Sequence, residues 1–286
     1  MDKIVLNHVT YTYPLASSPA LDDVTFTFEK GKFYGVIGEN GSGKTTLCNL
    51  LRGLIPNFYK GTLEGTITYD GVNSTDIDED CLSISIGYVF QNPFTQISGV
   101  RKTVFEEVAL GLENLGVPPE EIIERVIRVL ERMGISELAL KNPTELSGGQ
   151  RQRVAFASIV VMDADVMVID EPTSQLDPAG SQMIFAIIDE LKKQNKTIIL
   201  VEHKIKMIAD YCDEVLVMKE GKLICSGDTH TVLSDLRLSD YGIDLPEVAM
   251  VAYALKDKGM SLASIPITED ECCWLIKQRW RENGRN

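Results

Sequence analysis

The feature of this sequence that most constrains its fold is the stretch GENGSGKT at residues 38–45. It matches the pattern G-x-x-x-x-G-K-[ST], follows the apolar run at 33–37 and opens a helical pattern. Glycines let a backbone wrap closely around phosphate groups and turn its N–H groups inward. The stretch therefore predicts a buried strand, a phosphate-binding loop and a helix, in that order.

The residues of this loop are the first candidate ligands of a nucleoside triphosphate. Lys44 is placed to act as a point charge on the β- and γ-phosphates, and the Thr45 hydroxyl is placed to ligate Mg²⁺. The predicted nucleotide-binding positions of this region are Gly38, Glu39, Asn40, Gly41, Ser42, Gly43, Lys44, Thr45 and Thr46.

Patterns typical of strands and helices alternate along most of the chain, which favours an α/β core with a mainly parallel sheet. The first 37 residues instead predict antiparallel strands with a turn at Lys30 and Gly31, ending in the buried strand 33–37. Further strands are predicted at 65–69, 84–90, 166–169 and 197–201, with a hairpin that turns at Glu220 and Gly221. A helix-only section, about 95–160, reads as an inserted helical subdomain.

Capping patterns locate several helices. Thr103 and Glu106 have capping-box spacing, and so do Thr268 and Glu271. The stretch PPEEIIERVIRVLERMG, residues 118–134, predicts a helix with acidic residues first and Gly134 as its stop. A further helix is predicted over 179–194.

The last part of the chain, 228–286, predicts a small helical extension after a nucleotide-binding domain at 1–227. Its final helix carries Trp274, Ile276 and Trp280, which would pack either in a local core or in a contact with a second subunit. The adjacent Cys272 and Cys273 are interpreted as two helix positions rather than a redox pair.

The composition narrows the classes of partner. The formal net charge is −14, and such a surface repels nucleic acid, so no nucleic-acid partner is expected. No apolar run reaches the roughly 18–20 residues that span a bilayer, and the first residues lack a signal-peptide pattern. None of the six cysteines has C-x-x-C spacing, which favours reduced thiols.

The stretch VMVIDEP supplies the next part of the predicted site. A buried strand ends in Asp170, close to where the phosphate-binding loop needs a Mg²⁺ ligand. Glu171 follows at once, where its carboxylate could hold an attacking water in line with the γ-phosphate as a general base.

A second anion site is predicted in LSGGQ, residues 146–150, because a serine and two glycines open a helix there. Together with the phosphate-binding loop and VMVIDEP, this stretch resembles the ATP-binding cassette (ABC) ATPase family over about residues 1–227. The resemblance implies a P-loop NTPase fold with a mainly parallel core, an antiparallel β subdomain and an inserted helical subdomain.

The resemblance also implies roles for single residues. Tyr13 matches the aromatic residue that stacks on adenine, and Gln91 in VFQNP matches a glutamine that touches Mg²⁺ and the water. Asp177 in SQLDP matches the key carboxylate of a loop across the dimer seam. His203 matches the histidine that contacts the γ-phosphate. The implied catalytic set is thus Lys44, Gln91, Glu171 and His203, and the implied metal ligands are Thr45, Gln91 and Asp170.

In this family two cassettes pair head to tail, so the resemblance implies that Ser147, Gly149 and Gln150 serve ATP held by the partner. A soluble ABC protein of DNA repair or translation is the first alternative. Repair proteins of this family carry long coiled coils in the insert, whereas only about fifty-five residues separate Gln91 from Ser147. Translation proteins of this family carry two cassettes per chain, whereas this chain carries one.

Finer features are similar to the energy-coupling factor (ECF) family of vitamin and metal importers: GLIPNFYKGTLEGTITYDG, VFQNPFTQI, VEHK and the tail DLPEVAMVAYALKDKG. This implies a peripheral ATPase at the cytoplasmic face of the cell membrane. Its implied partners are a second ABC ATPase, identical or different, a transmembrane coupling protein and a substrate-capture membrane subunit. Phe94 departs from the ECF pattern, which usually has an acidic residue there. The ATPase of another importer class remains the alternative.

Overall fold

The structure is a computed structural model that describes residue 1 and residues 3–174 and 176–283, so that Gln175 of the SQLDP motif lies outside the described residues. The strands in chain order are β1 (Lys3–Thr12), β2 (Leu21–Glu29), β3 (Phe33–Gly38), β4 (Thr62–Tyr69), β5 (Val72–Asn73), β6 (Ile86–Val89), β7 (Val166–Asp170), β8 (Thr197–Val201), β9 (Glu214–Lys219) and β10 (Lys222–Asp228). The helices are α1 (Lys44–Leu51), α2 (Glu79–Ser85), α3 (Pro93–Gln96), α4 (Val104–Asn114), α5 (Pro119–Arg132), α6 (Gly148–Val160), α7 (Pro178–Lys193), α8 (Ile205–Tyr211), α9 (Thr229–Leu233), α10 (Glu247–Asp257) and α11 (Glu269–Asn283).

The larger sheet has the strand order β10-β9-β3-β8-β7-β6, and every pair except β10 with β9 is parallel. β3, β7 and β8 are buried at every residue, as expected for parallel strands covered on both faces. The predicted mainly parallel core is confirmed. The carboxyl ends of β3, β6, β7 and β8 meet at one edge of this sheet.

The smaller sheet is antiparallel, with the order β2-β1-β4-β5. The predicted antiparallel pairing of the first strands is confirmed, since β1 pairs with β2 from Lys3 opposite Glu29 to Tyr11 opposite Leu21. β3 does not stay in this sheet after the turn at Lys30 and Gly31, because a strand buried on both faces suits the parallel core.

The helices α3 to α6 follow β6 and precede β7, where the sequence predicts the helical insertion. The capping box of Thr103 and Glu106 is formed in both directions. The strand predicted at 84–90 is shorter than expected, because helix α2 extends through Ser85 with Asp78 as its side-chain cap.

Two hydrophobic clusters cover the two faces of the parallel sheet. One joins the helical region to the sheet and includes Val104, Leu112, Ile169 and Ile198. The other joins the antiparallel sheet and α1 to the opposite face and includes Leu6, Leu47, Val168 and Ile199. Adjacent strand residues point to opposite faces, so both clusters hold the same strands in place.

The C-terminal extension packs on the first of these clusters through Ile243, Leu245, Ala249 and Ile267. α11 is tied down by Glu271, whose carboxylate accepts from the Ile267 N–H at 2.9 Å and lies 2.9 Å from His230 Nε2.

The tryptophans of α11 are exposed, 58 % for Trp274 and 78 % for Trp280, so the local-core alternative is wrong for this chain. Cys272 is buried and Cys273 exposed, as two neighbouring helix positions should be. No helix among the described residues is long and apolar enough to cross a membrane.

Two glycines of the phosphate-binding loop have different amounts of space around them. At Gly38, with φ of 154°, an added Cβ would lie 2.2 Å from the Met218 carbonyl oxygen, whereas at Gly41, with φ of 79°, nothing lies within 4 Å. We expect Gly41→Ala to cost about 1–2 kcal/mol of unfolding free energy from backbone strain alone. Gly38→Ala should cost about 3 kcal/mol or more, because backbone must also move.

Urea unfolding of both variants without nucleotide measures the difference. Equal losses would show that the close approach of β9 to the loop does not matter for stability.

Candidate active site

The phosphate-binding loop joins β3 to α1 at the carboxyl edge of the parallel sheet. Its Lys44 is only 5 % exposed and donates from Nζ to the carbonyl oxygens of Gly38 and Glu39, both at 2.8 Å. Burial lowers the pKa of Lys44, while the carboxylates of Glu171 and Asp170 act in the opposite direction. The β9–β10 turn supports the loop, since the Gly221 N–H donates to the Ser42 carbonyl at 3.0 Å. The lysine is thus held inside the loop that it is predicted to serve.

Asp170 lies at the end of β7, and its Oδ2 accepts a hydrogen bond from the Thr45 hydroxyl at 2.8 Å. Among the described residues, its Oδ1 has no hydrogen-bond partner although the side chain is buried. Burial raises the pKa of Asp170 to about 6. A buried carboxylate oxygen without a donor, beside a hydroxyl, fits a hard cation such as Mg²⁺.

No cluster of three or more His, Cys, Asp or Glu side chains among the described residues could hold a metal ion alone. Mg²⁺ usually keeps waters and takes one or two protein ligands plus substrate phosphates. The Thr45 and Asp170 pair therefore suits a cation that arrives with the nucleotide.

Glu171 lies where three loops meet, after β6, β7 and β8. Its Oε2 accepts from Gln91 Nε2 at 2.7 Å, and its Oε1 lies 2.9 Å from His203 Nε2. The Glu171 backbone has φ of 48°, a left-handed conformation that is uncommon for a residue other than glycine. Its N–H donates to the Val201 carbonyl at 2.9 Å. The carboxylate predicted to act as general base is therefore held from two sides.

A cavity of about 360 Å³ opens over the loop and is lined by Ala20, Asn40, Gly41, Gly43, Lys44, Thr45, Thr46, Gln91 and Glu171. Tyr13 lies beside it, with its hydroxyl 3.3 Å from Thr46 Oγ1 and its ring edge-on to Tyr11. An aromatic ring at this position could contact the base of a nucleotide whose phosphates lie in the loop. Its predicted contact with adenine stays a prediction.

The second predicted anion site lies on the helical region, away from this cavity. Ser147 caps α6: its Oγ accepts from the Gln150 N–H at 3.4 Å, and its N–H donates to Gln150 Oε1 at 3.1 Å. Asp177 caps α7 and accepts from the Gly180 N–H at 2.7 Å. The structure brings none of Ser147, Gly149, Gln150 and Asp177 into the lining of the loop cavity.

One buried carboxylate near the site was missed by the sequence reasoning. Glu202 is buried next to His203, and both its oxygens lie 3.3 Å from the hydroxyl of Thr173. Lys204 Nζ donates to the same hydroxyl at 3.0 Å. Burial raises the pKa of Glu202. These contacts join the loop after Glu171 to the loop that carries His203, and the only sequence signal was a glutamate at the end of an apolar strand.

Residues 21–174, more than half of the chain, match the family model described as ABC transporter. The chain belongs to the ABC transporter family. This cassette is therefore an ATP-binding, ATP-hydrolysing transporter subunit, and the family predicted from the motifs is confirmed.

Individual relatives extend the likeness beyond the matched segment. The energy-coupling factor transporter ATP-binding protein EcfA1 of Enterococcus faecalis is 38 % identical over 270 residues, which is 93 % of this chain and 94 % of that protein. The solved structure of CbiO1 from Clostridium perfringens, described as part of the ABC transporter complex CbiONQ, is 32 % identical with a TM-score of 0.70. The likeness covers 90 % of this chain and 96 % of the CbiO1 chain.

A dimeric ATP-binding cassette, MJ0796, solved in a post-hydrolysis state with ADP and Pi, is 29 % identical with a TM-score of 0.70. The likeness covers 79 % of this chain and 98 % of MJ0796. These neighbours confirm the predicted fold of parallel core, antiparallel sheet and helical region.

The buried charge of Asp170 yields a stability prediction for the chain without nucleotide or Mg²⁺. The difference between the usual pKa of 3.8 and about 6 corresponds to about 3 kcal/mol. The pKa of Asp170 is higher in the folded chain than in the unfolded chain, so the folded chain holds this proton more tightly. The protonated carboxyl therefore contributes its full stability below the unfolded pKa of 3.8, and this contribution is lost as the pH rises to about 6. Asp170→Asn should therefore raise the unfolding free energy by about 3 kcal/mol at pH 8.

Urea unfolding at pH 8 and pH 5 measures this gain, which should shrink to about half at the lower pH. The exposed Asp257→Asn serves as the matched control and should change neither value. A gain that is absent at pH 8, or equal at both pH values, would contradict the assignment of a costly buried charge.

Proposed function

We propose that this cassette is the ATPase subunit of an energy-coupling factor importer for vitamins or transition-metal ions, bound peripherally at the cytoplasmic face of the cell membrane. The observation that carries the proposal is the length of the likeness to EcfA1, 270 residues, which runs beyond the cassette motifs into the C-terminal extension. The likeness to CbiO1, part of a CbiONQ complex, supports the same importer class.

Within one cassette, we propose that Lys44 and the loop N–H groups hold the β- and γ-phosphates of ATP. Thr45, Asp170 and Gln91 are the proposed ligands of Mg²⁺, which would neutralise phosphate charge as it develops. Glu171 would take a proton from the attacking water as general base. Its contacts with Gln91 and His203, at 2.7 and 2.9 Å, support this role, because a base must be held in line to act.

The proposed active form is a head-to-tail pair of cassettes, identical or different. Ser147, Gly149, Gln150 and Asp177 lie outside the lining of their own loop cavity, which supports a role at the site of the partner. The free N–H groups at the start of α6 would stabilise the partner's γ-phosphate. ATP then joins the two cassettes, and hydrolysis releases them.

Protein partners are proposed on two surfaces. A cleft of about 250 Å³ between the helical region and the parallel sheet, lined by residues that include Leu54, Phe90, Gln96, Leu115 and Met162, could receive cytoplasmic helices of a transmembrane coupling protein. A separate small membrane subunit would capture the substrate. The exposed Trp274 and Trp280 are proposed as part of a contact with the second cassette.

The importer assignment is tested by purifying the tagged chain from native membranes in mild detergent and identifying the copurifying proteins by mass spectrometry. We expect a second cassette ATPase, one multi-span coupling protein and one or more small membrane subunits. A stable association with a substrate-binding protein and two permease subunits would instead indicate another importer class. Recovery without any membrane protein would contradict the importer assignment.

Glu171→Gln tests the base assignment. The amide preserves size and can still contact Gln91 and His203, but it cannot accept the proton of the attacking water. We expect ATP binding to be retained, turnover to fall by about a hundredfold or more, and a closed dimer to accumulate with ATP. Steady-state phosphate release and size-exclusion chromatography measure these results, and turnover like that of the unmodified chain would refute the assignment.

A further inference from the structure

Arg151 lies one residue after the LSGGQ stretch, in the first turn of α6, and is only 7 % exposed. Its Nη2 donates to the carbonyl oxygens of Thr144 and Leu146, at 2.9 and 3.0 Å. These carbonyls belong to the segment that leads directly into Ser147. Arg151 therefore fastens the chain before the turn at 147–150 to the helix after it.

The charge of Arg151 is in an unfavourable place. The N-terminal end of a helix carries a partial positive charge, which repels a cation and favours an anion. Among the ion pairs of the described residues, none involves Arg151. The guanidinium is nevertheless buried, so its positive charge depends on the two carbonyl oxygens and on any further contact that is not a carboxylate.

Phe94 supplies this further contact. The Cζ atom of Arg151 lies 3.9 Å from the centroid of the Phe94 ring, well inside the range in which an aromatic face attracts a cation. The ring itself is 60 % exposed, so burial of its own surface does not explain its position. It acts as a cover that separates the guanidinium from water.

The placement of Phe94 is fixed by the loop that carries Gln91. Asn92 caps the short helix α3, and its Oδ1 accepts from the Phe94 N–H at 3.0 Å. Gln91, one residue before this cap, is the side chain that contacts Glu171. A short path of contacts thus leads from Glu171 through Gln91 and α3 to Arg151.

We propose that Phe94 and Arg151 are positioning residues for the turn at 147–150, with Phe94 acting through Arg151. The pair links the Gln91 loop of one nucleotide site to the residues that serve ATP on the partner cassette. The statement that this turn serves ATP on the partner cassette rests on the head-to-tail dimer of the proposed function. The statement that Phe94 and Arg151 hold the turn concerns one chain alone.

The single-chain part is tested by hydrogen exchange in the nucleotide-free protein. Phe94 is exposed, so its replacement should leave the fold intact, whereas loss of the buried Arg151 could unfold the region. In Phe94→Leu, which keeps apolar bulk without an aromatic face, we expect peptides covering 144–152 to exchange about three- to tenfold faster. Phe94→Tyr, which keeps the face, should exchange like the unmodified chain.

Peptides covering the phosphate-binding loop at 38–45 should be unaffected in both variants. Phe58→Leu is the matched control, because Phe58 is also exposed but its ring contacts Tyr59 rather than a cation. Equal exchange in Phe94→Leu and the unmodified chain, or equally fast exchange in the Leu and Tyr variants, would overturn the proposal.

The link to the second site is tested in the Glu171→Gln background. Phe94→Leu should leave ATP binding to the single chain unchanged, as measured with a fluorescent ATP analogue. It should raise the ATP concentration needed for dimer assembly by about three- to tenfold, and Phe94→Tyr should restore it. An effect of Phe94→Leu that appears only in the membrane complex would overturn the link and make the ring a docking contact.

The failure of the proposed dimer gives a different result. If Glu171→Gln with Phe94 intact forms no ATP-driven dimer with any cassette, the head-to-tail arrangement is wrong and the link falls with it. The exchange experiment then still decides whether Phe94 and Arg151 hold the turn.

Discussion

The parallel pairing of β3, β8, β7 and β6 is the constraint on which the candidate catalytic geometry of this cassette depends. Parallel strands end at the same edge of a sheet, so the residues that follow them become neighbours although they are far apart in the chain. Gln91, Glu171 and His203 follow three adjacent strands and meet within hydrogen-bond distance. A change of strand order would separate them without altering any of the motifs.

Two buried ionisable residues lie at the same carboxyl edge of the parallel sheet. Lys44 and Asp170 are both buried. Burial lowers the pKa of Lys44 and raises the pKa of Asp170, which favours the neutral form of each side chain. A nucleotide with Mg²⁺ brings charges that complement both groups. Burying two charged groups costs free energy, and the proposed binding of ATP and Mg²⁺ at this site would offset that cost.

The two predicted anion sites of the chain lie on different parts of the fold. The phosphate-binding loop belongs to the sheet, whereas Ser147 and its helix belong to the helical region. Arg151 and Phe94 lie where the helical region meets the loop of Gln91. The C-terminal extension shares a hydrophobic cluster with the sheet, so its exposed tryptophans are carried on the same packed body.

The sequence by itself determined the local parts of this protein. The order of strand, phosphate-binding loop and helix, the cap at Thr103, the helix that opens at LSGGQ and the hairpin at Glu220 depend on neighbouring residues, and all formed as predicted. The family was recognised from the resemblance of the phosphate-binding loop, LSGGQ and VMVIDEP to the ABC ATPase motifs, and the family model confirms it. Helix α2 was missed, and its last two residues, Ile84 and Ser85, were assigned to the strand that follows.

Only the tertiary structure decided which distant side chains meet. The contact of Glu202 with Thr173, the ring of Phe94 on Arg151 and the exposure of Trp274 and Trp280 depend on strand order and on how the helices pack. Hydrophobic periodicity says which face of a strand or helix is buried, but not against which partner. These contacts join residues about thirty to sixty positions apart or depend on packing across the whole fold, so no local pattern could specify them.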